Sequence, residues 1–405
     1  MKPESIFPKP LSWLTCMFVL CLFAAGHAQT FSVIHNFTGG TGGGVPWNGL
    51  IAGPESGGLN ASLRGGSSFY GTASTGGTLG YGVVFSMSST GVETVLHNFA
   101  GSDGANPYGG LVIDNSGNLY GTTTSGGASN LGTVFKITGN TETVLYSFAG
   151  GSDGADPIAG LVFDANGNLY GTTSQGGANG NGTVFELAAP QMKGGAWTET
   201  VLYSFGGGSD GTIPYGGVSF DSAGNLYGTT SAGGANGFGT VFQLVPGTTW
   251  TENVLHDFQN GTDGSVPYAG LISDKLGNFY GDATQGGANG GGTVFELSPS
   301  EGGWNFNVLY SEPGWGISGS YRNVVLDNAG NLYASTHCDG EYNAGTVYEL
   351  SPSGGSWKYT LLYTFTGGAD GLYSVSNLVL SQGRLYGTTL YGGTENSGVV
   401  YEVTP

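Results

Sequence analysis

Charge is scarce in this chain. Only 9% of its 405 residues are charged, and 9 Lys and Arg stand against 28 Asp and Glu, a net charge of −19. A surface so poor in cations repels nucleic-acid phosphates and anionic membranes, so neither is an expected partner. Cysteine is nearly absent, with 3 residues, and the 15 prolines follow no Gly-X-Y period, which excludes a collagen. No nucleophile elbow, phosphate loop or dinucleotide fingerprint occurs in a strand-to-helix context, and scattered Gly-x-Gly matches mean nothing against this background. Glycine is abundant instead, at 81 residues. Each glycine opposes helix by roughly 1 kcal/mol, which argues against bundles and coiled coils. Yet 38% of the residues are hydrophobic and 12% aromatic, enough to bury a large core.

Met1 to Ala28 has the layout of a secretory signal peptide. Lys2 and Lys9 form a basic start, Trp13 to Ala25 is an apolar run too short to span a bilayer comfortably, and Gly26-His27-Ala28 offers the small residues of a cleavage site. Cleavage leaves Gln29 first. Cys21 follows Leu20 and lacks the small residues of a lipoprotein signal, so no lipid anchor is expected. Cys16 and Cys21 depart with the peptide, leaving Cys338 alone and no internal disulfide. Loss of Lys2, Lys9 and Glu4 takes the 9 basic and 28 acidic residues to 7 and 27, or −20. The expectation is a secreted or periplasmic monomer, 29–405, with no membrane insertion after cleavage.

After Gln29 the chain repeats. A phrase like Leu-Tyr-Gly-Thr-Thr places its tyrosine at Tyr70, Tyr120, Tyr170, Tyr227, Tyr280, Tyr333 and Tyr386, at steps of 50, 50, 57, 53, 53 and 53 residues. A phrase like Gly-Thr-Val-Phe-Glu-Leu begins at Gly82, Gly132, Gly182, Gly239, Gly292, Gly345 and Gly398. A phrase like Val-Leu-Tyr-Ser-Phe begins at Val33, Val95, Val144, Val201, Val254, Val308 and Leu361. A period near fifty residues indicates a propeller or solenoid. The phrases are short, β-branched and aromatic, and turn residues bound them, so they read as strands. A fourth strand precedes each tyrosine phrase, as at Gly160 to Asp164, and ends in the hairpin turn Asp164 to Asn168. We call the four strands A (near Leu161), B (Leu169 to Thr173), C (Thr183 to Leu187) and D (Val201 to Phe205). The chain opens on a lone D strand, Phe31 to Phe37, and closes on a C strand, Gly398 to Val403. The spacing therefore predicts an all-β, seven-bladed β-propeller whose first strand completes its last blade.

The run Gly-Ser-Asp-Gly-Ala-x-Pro, then Gly-Leu-Val-x-Asp-x-x-Gly-Asn-Leu-Tyr-Gly-Thr-Thr, then Gly-Thr-Val-Phe-Glu-Leu resembles the GloVer tandem repeat of exported bacterial proteins. The resemblance covers essentially all of the chain after Gln29. It implies an extracytoplasmic location and a variable C-terminal anchor, and it implies no biochemical activity. This chain stops at Pro405 straight after a strand, without a sorting tail. The Asp-x-x-Gly-Asn-Leu-Tyr part is also similar, more weakly, to NHL-type and streptogramin-lyase-type propellers.

In a propeller the D-to-A and B-to-C loops share one face, here called the top, and loops on rigid scaffolds are where sites usually sit. Three residues before the first apolar residue of strand A stand Trp47, Tyr108, Ile158, Tyr215, Tyr268, Tyr321 and Val375. The aromatic members, with Trp315, are candidate ligand contacts: a collar stacking on a glycan or other cell-surface component. The preferred reading is that they are wedges packed between neighbouring blades, since every blade needs one. Eight residues before the same position stand Asp103, Asp153, Asp210, Asp263 and Asp370. These could form a broken carboxylate ring for calcium, or each could cap its own Asp-Gly turn. No cofactor other than such calcium is expected. The bottom-face Asp114, Asp164, Asp221, Asp274 and Asp327 read as turn formers. Trp197, Trp250, Trp304 and Trp357, ahead of strand D, are expected to cover the blade edge.

Blade six breaks the pattern. Its D-to-A loop reads Glu312 to Arg322 and its B-to-C loop reads His337-Cys338-Asp339-Gly340-Glu341-Tyr342. Local rule-breaking accompanies function or simple drift. Two classes of activity follow. The chain is a non-catalytic binding or structural module, or it is a polysaccharide lyase or hydrolase in which His337, Asp339, Glu341 and Arg322 supply acid, base and electrostatic roles.

Overall fold

A computed structural model describes residues 29–53, 68–192, 194–314 and 323–405. The expected signal segment, 1–28, lies outside them. The described residues form seven four-stranded antiparallel sheets arranged as a propeller, with no helix. In blade three strand A is Val162–Phe163, B is Leu169–Thr173, C is Thr183–Ala188 and D is Thr198–Ser204. Strand A is shorter than the sequence suggests, and D begins earlier, because D pairs with C back to Ala188↔Thr198. The ring closes as expected. The first strand, Thr30–Asn36, pairs with the last, Val399–Thr404, from Thr30↔Thr404 to Asn36↔Val399.

Each phrase has a physical reason. In the A-to-B hairpin of blade two, Asp114 Oδ1 accepts the amides of Ser116 and Asn118 at 2.9 Å, and Oδ2 accepts the Asn118 side chain at 2.7 Å and the Tyr120 hydroxyl at 3.0 Å. Asp221, Asp274 and Asp327 repeat this set. Asp164 does likewise, except that Tyr170 donates to Glu186 instead. These carboxylates are turn formers, as expected. Gly182, at φ +100°, opens strand C. A Cβ there would sit 2.5 Å from the Thr173 carbonyl oxygen and 2.6 Å from Pro214 of the next blade. The loop proline of one blade thus lies on the strand-entry glycine of the blade before it.

Blades are glued by aromatic pairs. Phe205, at the end of strand D in blade three, meets Phe242 of blade four edge-on at 5.2 Å. Phe99–Phe135, Phe148–Phe185 and Phe258–Phe295 repeat this at 5.1, 5.2 and 5.5 Å. All of these rings are 0% exposed. These pairs fill the seams between neighbouring blades. Trp197 and Trp304 stand beside the strand-B tyrosine of the preceding blade, at 6.2 Å from Tyr120 and 5.5 Å from Tyr227. Trp304 and Trp357 lie within strand D itself rather than ahead of it.

A second seam runs along the top. The residue before each loop proline, or before Ser374 in blade seven, has positive φ: Val45, Asn106, Asp156, Ile213, Val266 and Tyr373, at +53 to +63°. This conformation is costly, above all for β-branched side chains. Two backbone bonds hold it. The Ile213 amide donates to Asn181 O of the preceding blade at 2.9 Å, and Ile213 O accepts Ser231 N–H of its own blade at 3.1 Å. The other five positions make the same two bonds.

Candidate functional site

Among the described residues, the top of the axis is an aromatic dish over a neck where backbones pack closely. Strand A enters on glycine or asparagine, and the chains meet so closely that a Cβ on Gly49 would lie 1.9 Å from Asn377 O, and one on Gly270 2.7 Å from Gly217 O. Asn377 donates to Asn48 Oδ1 at 3.2 Å and accepts the Asn323 amide at 3.1 Å. A space of about 40 Å³ remains, lined by Tyr215, Tyr268, Asn323 and Asn377 among others. Glycine is needed here because backbones replace side chains at the axis.

Above the neck stand the expected collar residues. Trp47, Tyr108, Tyr215 and Tyr268 are half-buried, neither wedged away nor free in solvent. Trp47 meets Tyr108 edge-on at 5.4 Å, and Tyr215 lies 5.0 Å from Tyr268. Burial raises the pKa of Tyr108, Tyr215 and Tyr268, and the charge of Asp156 adds to it at Tyr108 and Tyr215. One carboxylate therefore faces two collar tyrosines. Asp156 Oδ2 is held by Ser174 Oγ at 2.9 Å and Gln175 Nε2 at 3.3 Å.

Two loops extend the dish with aromatics that the repeat arithmetic did not single out. His337 stacks on Tyr373 at 4.3 Å and 23°, and Tyr373 meets Tyr391 at 6.3 Å. Tyr391 stands where other blades have Thr75, Ser125 or Gln175, a substitution visible on aligning the repeats. Trp315, Tyr321 and Arg322 lie outside the described residues.

Of the blade-six candidates, the three described ones, His337, Asp339 and Glu341, stand in different environments. His337 belongs to the aromatic band, and burial lowers its pKa to about 4, so the ring is neutral at pH 7. Asp339 is 8% exposed and accepts hydrogen bonds from the Thr336 and Thr346 hydroxyls. Glu341 is exposed. Burial, then the neighbouring Asp339, raises the Cys338 thiol, the opposite of what an activated nucleophile needs.

Behind these loops the sequence hid a substitution. At the seam of blades five and six the Phe–Phe pair becomes Glu312 and Tyr348, both 1% exposed, with the Tyr348 hydroxyl donating to Glu312 Oε1. Asp282, 1% exposed, replaces the strand-B threonine that elsewhere reaches the next blade, as Thr172 does to Gly216 O at 3.0 Å. Tyr348 feels the charges of Glu312, Asp282 and Asp339, and its pKa is raised chiefly by burial. Glu312 was visible as part of an odd loop. Asp282 and Tyr348 were single deviations inside otherwise regular phrases.

The five loop aspartates are spread one to a blade and turn toward their own strand D. Asp103 accepts from Ala100 N–H at 2.8 Å and lies 3.0 Å from His97 Nε2. Asp153, Asp210 and Asp370 accept the hydroxyls of Tyr146, Tyr203 and Tyr363 at 2.8, 3.0 and 3.0 Å, and Asp263 pairs with His256 at 3.1 Å. Each also accepts an amide of its own loop.

The sequence matches the Gloeobacter/Verrucomicrobia repeat over residues 54–275 and 191–401. No curated protein matches it. Among solved structures it is similar to a proposed 6-phosphogluconolactonase from Bacteroides uniformis, with 16% identity and a TM-score of 0.53 over 79% of this chain and 88% of that one. A second proposed 6-phosphogluconolactonase, from Bacteroides fragilis, is 19% identical with a TM-score of 0.50 over 79% and 86%. The extracellular domain of a proposed one-component system from B. thetaiotaomicron is 10% identical with a TM-score of 0.54, covering 91% of this chain and 39% of that one. At such identities the likeness is one of fold.

Proposed function

The chain belongs to the Gloeobacter/Verrucomicrobia repeat family, and on that premise we propose that it is an exported, non-catalytic binding propeller whose top face holds a neutral or cationic glycan. The observation that carries this reading is the aromatic dish of half-buried Trp47, Tyr108, Tyr215, Tyr268 and Tyr373, with exposed Tyr391 beside them, above a neck of closely packed backbones. Sugar rings present flat C–H faces that rest on aromatic rings, and the tyrosine hydroxyls meet the sugar's own. Asp156 adds an acidic group facing Tyr108 and Tyr215, which favours an uncharged or amino sugar over an acidic one. Export is supported by the leader-like residues 1–28 and the family resemblance. The rival reading, a blade-six lyase or hydrolase, has less support, because His337, Asp339 and Glu341 occupy three different environments.

The test is a glycan array probed with the protein and with Tyr108→Ala and Tyr268→Ala. Both variants are expected to lose at least tenfold in affinity for the same glycans while keeping the parent unfolding midpoint. Unchanged binding in both, or turnover of the bound glycan, would overturn the reading.

A further inference from the structure

On the outer rim, away from the dish, the seam between successive blades repeats a small polar arrangement. A Tyr or His on strand D faces the loop aspartate of its own blade, and a glutamate on strand D of the next blade approaches the pair. Between blades two and three the three groups are Tyr146, Asp153 and Glu199, and between three and four they are Tyr203, Asp210 and Glu252. Between blades one and two they are His97, Asp103 and Glu142. Other seams have lost a member: His35 meets Glu93 at 3.4 Å with Gly42 in the aspartate position, and His256 stacks on Phe306 at 3.7 Å where a glutamate would stand.

We propose that His97, Asp103 and Glu142 form a binding site for a divalent transition ion such as zinc. One ligand atom from each residue can be chosen so that all lie within 4.8 Å of one another. His97 Nε2 and Asp103 Oδ2 are already 3.0 Å apart. Ligand atoms around a tetrahedral zinc sit about 3.3–3.6 Å apart at bond lengths of about 2.0–2.2 Å, so the three atoms, all within 4.8 Å, need close by no more than about 1.5 Å. Glu142 Oε1 is shut off from solvent and accepts no hydrogen bond, and Glu199 Oε1 and Glu252 Oε1 share that state in the tyrosine seams. What sets this seam apart is the imidazole, which joins the two carboxylates as a third metal-ligating group. An imidazole ligand favours a borderline ion over calcium, which takes oxygen ligands. The side chains of His97 and Asp103 are 17% and 21% exposed, which leaves the ion a way in and a water its fourth place. In the seams that carry tyrosine, a phenol in its ordinary protonated state replaces the imidazole and closes the aspartate with a hydrogen bond.

The repeats supply their own controls. Titration calorimetry with zinc chloride and with calcium chloride, on the protein purified in chelator, is expected to show one zinc site per chain and a much weaker response to calcium. His97→Tyr copies the neighbouring seams, where Tyr146 and Tyr203 stand in this position, and is expected to fold. It is expected to lose that site, and Glu142→Gln to weaken it at least tenfold. Tyr146→His brings an imidazole to Asp153 and Glu199 and is expected to add a second site. Zinc uptake that His97→Tyr leaves unchanged, or no zinc uptake by the parent protein, would overturn the proposal.

Discussion

At the scale of the residue, most of what is unusual here follows from backbone crowding. Gly182 combines φ +100° with a carbonyl oxygen 2.5 Å from where its Cβ would be, so Gly182→Ala must move either strand B or Pro214. We expect a loss of about 1–3 kcal/mol in urea denaturation. Gly167, also at positive φ, has open space around it, and Gly167→Ala should cost less. The converse holds at Ile213, a β-branched residue at φ +58° where other blades carry Asn106 and Asp156. Ile213→Asn keeps both backbone bonds and removes side-chain strain, so it should stabilise by about 1 kcal/mol. A lower midpoint for that variant would mean the side chain matters more than the strain. The repeated glycines were legible in the sequence as a pattern. The reason for each was not, since the clashing atom belongs to another strand or the next blade.

At the scale of the element, the seams between strands decide stability. Tyr348→Phe takes the hydroxyl donor from buried Glu312 and should cost about 1–3 kcal/mol. The double change Glu312→Phe, Tyr348→Phe restores the aromatic pair of the other seams and should recover much of that loss. If the double variant is worse than the single, the acidic seam has a role beyond packing. The rim glutamates bear on pH. Burial, then the charge of Asp153, raises Glu199 to about 7, and burial with Asp210 and Asp257 raises Glu252 to about 7. A carboxyl whose folded pKa lies above its unfolded value favours folding when protonated. Its contribution is complete below the unfolded value of about 4.5 and is lost as pH rises through 7. Asp114, Asp221 and Asp327 act oppositely, because their hydrogen bonds outweigh burial and lower their pKa, so their contribution fades below pH 4. The thermal midpoint should therefore fall from about pH 5 toward pH 8, less steeply below pH 6.5, where His337, neutral in the folded state, contributes more stability as pH rises. Glu199→Gln, which carries no charge at any pH, should flatten part of the fall. A midpoint rising steadily from pH 5 to 8 would contradict this sign.

At the scale of the whole molecule, closure is the decisive feature. Deleting residues 29–37 would expose the edge of the last strand, Val399–Thr404, and remove Phe37 from its seam with Phe85. Such a variant should aggregate or unfold at markedly lower temperature, as measured by calorimetry and light scattering. A chain circularly permuted at the hairpin near Gly354 keeps every pairing and should fold. The net charge of −19 acts at the same scale, since its self-repulsion grows as carboxyls ionise and reinforces the loss of stability at high pH.

The sequence by itself determined the number of blades, their strand order and the closure by the first strand. All three follow from repeat spacing and strand period, which are local and additive along the chain. It also located the aromatic collar positions and the irregular loops of blade six. Only the tertiary structure decided how those residues meet. It drew His337 into the aromatic band and Asp339 into a nest of threonines, sent Glu341 to solvent, and set His97, Asp103 and Glu142 within reach of one another across a seam. Spacing within one repeat cannot specify contacts between repeats. Those depend on how two blades are rotated about a common axis, and that rotation is set by glycine-lined backbone contacts and buried aromatic pairs contributed by both.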